Sequence, residues 1–269
     1  MRELILLDGK PIKEDFPLRS LFYGEGLFET FRWRGQPPAF LAKHLERMKD
    51  GAEVLGIPLP AVKGIKEGID RAILESRVYD AYVKICLLSH GDSAFYENPR
   101  GASILVIVHQ YQPPDELIRA HVSPFRRNST SPILRVKSLN YLENILARRE
   151  ARGLGFDEAI FLNEKGEITE GSVANIFWLK DGALFTPSLE CGLLSGVIRG
   201  VVIDVAREIG IRIEEEHFDL DNLMSSQGAF LTNSLVGAVP ISQIDRFELP
   251  LDSQDFKRIK TALLERLVW

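Results

Sequence analysis

Apolar and polar positions change period several times along this chain. Residues 4–7 are apolar and run into Asp8-Gly9, which predicts a short strand and turn with Pro11-Ile12 as the return. Residues 28–33 read as a strand, Arg34-Gly35-Gln36 as a turn, and Ala39-Phe40-Leu41 as its continuation. From Ala42 the period becomes helical: Leu45, Met48, Ala52 and Leu55 recur on one face until Gly56-Ile57-Pro58. A second helix is predicted over 61–76. Residues 81–88 and 102–108 are β-branched strands joined by a polar loop at 89–101. Pro113-Pro114 then suggests a break. The predicted organisation is a smaller domain at 1–115, a linker at 116–131 and a larger domain at 132–269.

The second half mixes both periods again. Strands are predicted at 121–125 and 133–136. A helix follows, opened by Ser138, with Leu139, Leu142, Ile145 and Leu146 as its stripe and Gly153 or Gly155 as its end. Residues 158–162 and 167–170 form a hairpin about Asn163-Glu164-Lys165-Gly166. Strands at 175–179 and 183–185 precede a helix at 196–209 closed by Gly210. Further strands fall at 211–216, 229–232 and 239–244. The last helix has Asp252 or Ser253 as cap and Phe256, Ile259, Leu263 and Leu267 as its stripe. Without a regular βαβ alternation the fold class is α+β.

Composition narrows the function classes. Apolar residues make up 45% and charged residues 26%, the proportions of a globular protein. A net charge of −5 gives no field for a nucleic-acid partner. No stretch approaches the length a membrane helix needs. Cys86 and Cys191 form no CxxC, so a reducing, cytoplasmic setting is expected. The five histidines do not fall at ligand spacing, so no metal site is expected. Gly24-Glu25-Gly26 leads into a strand and not a helix, which excludes a dinucleotide fingerprint.

Three positions carry candidate chemistry, and each also has an ordinary reading. Lys137 is either a solvated lysine at a strand end or an amine made nucleophilic in a dry crevice. Glu170 is a turn acid or a buried carboxylate. Ser195-Gly196 before a helix is a simple N-cap or an anion site of bare amides.

Together these residues form an ordered set: Tyr23-Gly24-Glu25-Gly26-Leu27-Phe28-Glu29-Thr30, His44 to Arg47, Lys137 to Tyr141, Glu170-Gly171-Ser172 with Asn175, and Leu194 to Arg199. The set resembles the fold-type IV enzymes that use pyridoxal 5'-phosphate (PLP). That group includes branched-chain and D-amino acid aminotransferases and 4-amino-4-deoxychorismate lyase. The resemblance implies a two-domain, D-amino acid aminotransferase-like fold with the cofactor at the domain interface, and a homodimer. It implies that Lys137 binds the cofactor covalently and moves the substrate proton, and that Glu170 faces the pyridine nitrogen. Arg47, the amides of Val197 and Ile198, and Ser234 are implied phosphate ligands, with Gly196 a further cofactor contact, Leu194 against the ring and Tyr141 near the phenolic oxygen.

Within the group, three features favour the lyase, which makes 4-aminobenzoate and pyruvate for folate synthesis. Thr30 stands where branched-chain enzymes carry Gly, placed to act beside the lysine. Asn233-Ser234-Leu235 matches the lyase turn, and Tyr141 follows Lys137 by four residues. Tyr23, Phe28, Arg32, His90, Asn233 and Leu235 are the implied substrate contacts for a small anionic substrate. The loop arginines usual in lyases are absent from residues 89–97, where Arg32, His90 and Arg100 are the candidate replacements. The alternative is an aminotransferase of branched-chain or D-amino acids. A cofactor-free binding protein is a third reading.

Overall fold

The computed structural model describes residues 6–11, 16–91 and 96–267. Residues 4 and 5 of the first expected strand, Ile12 of its return, and residues 92–95 of the polar loop lie outside the described residues. The chain forms two compact units that interleave in sequence. One comprises Met1–Gly35, Ala42–Gln110 and Val136–Asn140; the other comprises Gln36–Leu41, Tyr111–Arg135 and Tyr141–Trp269. This differs from the expected ranges of 1–115 and 132–269, because the Lys137 segment groups with the first unit.

In the first unit, β1 (Leu6–Leu7) and β2 (Lys10–Pro11) form a small antiparallel hairpin. Helix α1 (Leu18–Tyr23) ends at Gly24, whose φ of 62° lies in the left-handed region. A three-stranded antiparallel sheet follows from β3 (Gly26–Arg34), β4 (Asp80–His90) and β5 (Gly101–Gln110), in that order. Helices α2 (Leu41–Leu55) and α3 (Val62–Ser76) lie between β3 and β4 in sequence. Alternation gives the sheet two different faces. Leu27, Phe31 and Trp33 of β3 and Ala81, Val83, Ile85 and Leu87 of β4 are buried, with Leu45, Met48 and Ala52 of α2 also buried. Gly51 lets α2 come down on Leu27, since a Cβ there would sit 3.0 Å from Leu27 Cδ1. The other face carries Phe28, Thr30 and Arg32 opposite Cys86, Lys84 and Tyr82.

The second unit is built on a mixed sheet of nine strands. These are β6 (Ile118–Arg127), β7 (Glu158–Asn163), β8 (Ile168–Gly171), β9 (Asn175–Lys180), β10 (Ala183–Pro187), β11 (Arg212–Glu216), β12 (Ala229–Asn233), β13 (Gly237–Ile244) and β14 (Phe247–Glu248). Their order is β11-β10-β9-β12-β13-β6-β7-β8, with β14 on β13. The pairs β10/β11, β13/β6 and β6/β7 are parallel and the others antiparallel. Helices α4 (Leu142–Gly153), α5 (Val197–Glu208), α6 (Leu220–Met224) and α7 (Gln254–Leu267) complete the unit. The sheet is covered on both sides, which is why its central strands are continuously apolar. Phe177, Leu179 and Phe230 pack with Val201, Val205, Ile259 and Leu263 of α5 and α7. Ile176, Trp178 and Leu231 turn to the opposite cluster with Ile160, Ile241 and Leu223.

Several local expectations change. Ala39-Phe40-Leu41 is a turn into α2, because Pro37-Pro38 breaks the strand and Leu41 N–H returns to the Pro38 carbonyl. The expected linker 116–131 holds β6, hydrogen-bonded on both sides to β13 and β7. Residues 133–136 are not a strand: Pro132–Arg135 form a single 3-10 turn. Ser138 does not open a helix; it bridges to Leu27, and α4 starts at Leu142. The stripe read for α4 faces outward, with Leu142 64% exposed, while Asn144, Ala147 and Ala151 are buried. Helices α1 and α6 and strand β14 were not expected.

Candidate active site

The expected site residues fall into two groups, one in each unit. In the first unit, residues 136–140 act as an extra edge on β3. Phe28 N–H donates to the Lys137 carbonyl at 2.8 Å and Leu139 N–H to the Gly26 carbonyl at 2.9 Å. The approach is close: a Cβ on Gly26 would lie 2.6 Å from both Leu139 Cδ1 and the Leu87 carbonyl oxygen. The half-buried Lys137 is thereby anchored on the Phe28 side of the sheet, with Nζ 4.5 Å from the Phe28 ring centroid. Lys84 Nζ stands 4.3 Å from the same centroid. Two ammonium groups therefore share one phenyl ring, a favourable place for cations. Lys84 was missed in the sequence. Its signal was available, since strand alternation from Tyr82 puts it opposite Thr30.

Arg47 does not stand alone. Its Nε and Nη2 donate to Glu29 Oε1 and Oε2 at 2.7 and 2.6 Å, and His44 Nδ1 lies 2.6 Å from Glu29 Oε2. Glu29 and His44 are buried, while the Arg47 side chain is 16% exposed. Burial alone would raise the carboxyl pKa of Glu29. The Arg47 charge and the hydrogen bonds from His44 and Arg47 outweigh it and hold the value at about 2. Glu29 thus fixes the fork of Arg47 in one orientation.

The other substrate candidates are partly committed. Arg32 donates from Nε and Nη2 to both oxygens of Asp80 at 2.7 and 2.6 Å, which also lowers the Asp80 pKa. Thr30 hydrogen-bonds the Tyr82 hydroxyl. Tyr23 lies at the end of α1 and is 40% exposed. His90 ends β4, and its buried Nε2 has no hydrogen-bond partner among the described residues. Arg100 is exposed beside Glu97.

In the second unit, Glu170 is buried at the end of β8. Its Oε2 accepts the Leu194 N–H at 3.1 Å and Asn175 Nδ2 at 3.4 Å, and Asn175 also donates to the Leu194 carbonyl. Arg127, read only as part of a linker, brings Nη2 within 3.9 Å of Glu170 Oε1. Helix α5 begins immediately after Gly196 and carries no side-chain cap. A Cβ on Gly196 would overlap Asn175 Oδ1, so glycine is required there. The first-turn amides of Val197 and Ile198 give this end a partial positive charge.

Tyr141 stands at the start of α4. Its hydroxyl donates to the Ser172 carbonyl at 2.8 Å, a carbonyl that also accepts Asn144 Nδ2, and burial pushes its pKa up. Asn233 builds its own turn: Oδ1 accepts the Leu235 and Val236 amides at 2.9 and 3.1 Å. Ser234 and Leu235 are half-buried in that turn, between β12 and β13.

The family profile described as amino-transferase class IV matches residues 26–244. Aminodeoxychorismate lyase of Bacillus subtilis (strain 168) is 32% identical over 257 residues, covering 90% of this chain and 87% of that protein. A Methanocaldococcus jannaschii protein, provisionally named a branched-chain-amino-acid aminotransferase, is 34% identical over 255 residues, covering 90% and 88%. A solved structure from Legionella pneumophila, provisionally named 4-amino-4-deoxychorismate lyase, superposes with a TM-score of 0.89 at 27% identity, covering 94% of each chain.

Proposed function

Because this chain belongs to the class IV aminotransferases, whose cofactor is pyridoxal 5'-phosphate, we propose that it is a lyase converting 4-amino-4-deoxychorismate to 4-aminobenzoate and pyruvate. The donor set of the chain fits that cofactor. An anionic phosphate suits the uncapped start of α5, where Val197 and Ile198 offer amides behind a required glycine. Arg47, pre-oriented by Glu29, has a planar fork suited to a phosphate, and Ser234 is assigned a further contact. Glu170 already serves as an acceptor of two N–H donors, the role needed opposite a protonated pyridine nitrogen.

When bound, pyridoxal 5'-phosphate supplies a sink for the electron pair left as a proton leaves the amine-bearing carbon. Lys137 takes that proton at Nζ, and Glu170 holds the proton of the pyridine nitrogen. Leu194 is the apolar wall for the ring. Departure of the enolpyruvyl group as pyruvate leaves an aromatic ring, which makes the elimination strongly downhill.

The observation that carries the lyase reading is Lys84 beside Lys137 over Phe28. The substrate has two carboxylates, and removing them from water requires charged donors. Arg32 is held by Asp80, so Lys84 takes the role of the absent loop arginines. A branched-chain side chain would give this second cation no partner. Lys84→Met tests the point. A lost charge-assisted contact is worth about 1.5–3 kcal/mol, so kcat/KM for the dicarboxylate falls roughly 10- to 100-fold, chiefly through KM. An unchanged KM would contradict the assignment. The second reading, an aminotransferase, is favoured by the 34% identity of the M. jannaschii relative.

A further inference from the structure

We infer that Glu167, Cys191 and His217 form a zinc(II) site in the second unit, separate from the residues assigned to the cofactor. Glu167 follows the turn after β7, Cys191 closes the 3-10 turn Leu189–Cys191, and His217 follows β11. Cys191 Sγ and His217 Nδ1 are 3.6 Å apart, and His217 Nδ1 and Glu167 Oε2 are 3.1 Å apart. All three donor atoms lie within 4.8 Å of one another.

The sulfur–nitrogen and nitrogen–oxygen separations are those of donors on a common ion. Tetrahedral zinc with bonds of about 2.3 Å to sulfur and about 2.0 Å to nitrogen or oxygen spaces its S and N donors by about 3.5 Å and its N and O donors by about 3.3 Å. The mixed thiolate, imidazole and carboxylate set suits zinc over magnesium or calcium. The surroundings also match. His217 Nε2 lies 3.4 Å from Glu190 Oε2, the arrangement by which a carboxylate holds a metal-bound imidazole. Asn163 Nδ2 donates to Glu167 Oε2 at 2.6 Å and to the Cys191 carbonyl at 3.3 Å, tying two ligand segments together.

Cys191 is fully buried and His217 is 39% exposed, so the ion enters from the histidine side and keeps a fourth position for water. Burial pushes the Cys191 thiol up to about 11. Binding zinc therefore expels the thiol proton, and also any proton on His217 Nδ1, to solvent. The site would pin the segment that leads through Leu193 and Leu194 into α5.

The test uses tag-free holoenzyme, stripped with a chelator and titrated with zinc or cobalt(II) salts. The expected result is one equivalent bound and a visible d–d spectrum of tetrahedral cobalt, at longer wavelength than pyridoxal absorbance. At roughly 100-fold excess over Kd, zinc should raise the unfolding midpoint by about 5 °C. Binding should vanish in Cys191→Ser and in His217→Gln, and weaken roughly 10-fold in Glu190→Gln. Should Cys191→Ser not fold, His217→Gln, an exposed position, decides alone. No saturable binding, an octahedral cobalt spectrum, or full binding retained in either ligand variant would overturn the proposal.

Discussion

Glu29 keeps its charge without solvent because Arg47 and His44 close around it. Replacing the carboxylate by an amide keeps one acceptor oxygen but sets an NH2 against the Arg47 and His44 donors and removes the compensating charge, which costs about 3 kcal/mol for such a pair. Glu29→Gln should therefore lower stability by that order and also weaken PLP binding, because Arg47 loses its fixed fork. The cofactor dissociation constant, read by absorbance titration, separates the second effect from the first. The pH sign follows from the depressed pKa of about 2. The pair's contribution is complete above the unfolded carboxylate range and is lost as pH falls towards 2, so the wild type should converge on the variant in acid. Wild-type and variant proteins with equal cofactor affinity would contradict this role. At this scale the motifs drew attention to Lys137, Glu170 and Arg47. The parts played by Glu29 and Arg127 were not legible, because each acts through a partner distant in sequence: 18 positions for Glu29 and Arg47, and 43 for Arg127 and Glu170; Lys84 had a signal in the strand alternation that was missed.

Helix α5 shows how an element can be legible for its hydrophobic period and still conceal its main feature. Its apolar face was readable, but the need for glycine at 196 comes from Asn175 across the unit. Gly196→Ala would push the Asn175 amide off the Leu194 carbonyl and Glu170. The expected outcome is a loss of PLP affinity of at least 10-fold with helix content retained, measured by cofactor titration beside circular dichroism. Normal affinity would argue against an anion site at that end. Helix α7 was fully legible, since Phe256, Ile259, Leu263 and Leu267 are large and all buried. Helix α4 was read backwards for a physical reason. The side that packs on Phe161 uses Ala147 and Ala151, whose small size permits close approach but gives a weak hydrophobic signal. Leu142, Ile145 and Leu146 remain outside.

At the scale of the whole molecule, the class α+β was legible and the strand order was not. The parallel pairs β13/β6 and β6/β7 join segments separated by long stretches of chain, which local periodicity does not record. The interleaving of units was also hidden: residues 136–140 return to the first unit through backbone hydrogen bonds to β3, and backbone bonds leave no mark on side-chain pattern. The outward stripe of α4 is consistent with the expected homodimer. Light scattering at micromolar concentration should give twice the 30.3 kDa chain mass, and Leu142→Asp with Leu146→Asp should lower it if this stripe is buried between copies. A monomer in the wild type would contradict the expectation. Lyase and aminotransferase differ in the fate of the electron pair left when the substrate proton departs. The most direct measurement supplies the PLP-loaded protein with 4-amino-4-deoxychorismate and, in parallel single turnovers, with D- and L-amino acids. A lyase releases equal amounts of pyruvate and 4-aminobenzoate with the cofactor recovered as pyridoxal phosphate. Absence of pyruvate, with rapid conversion to pyridoxamine phosphate by an amino acid, would contradict the lyase reading.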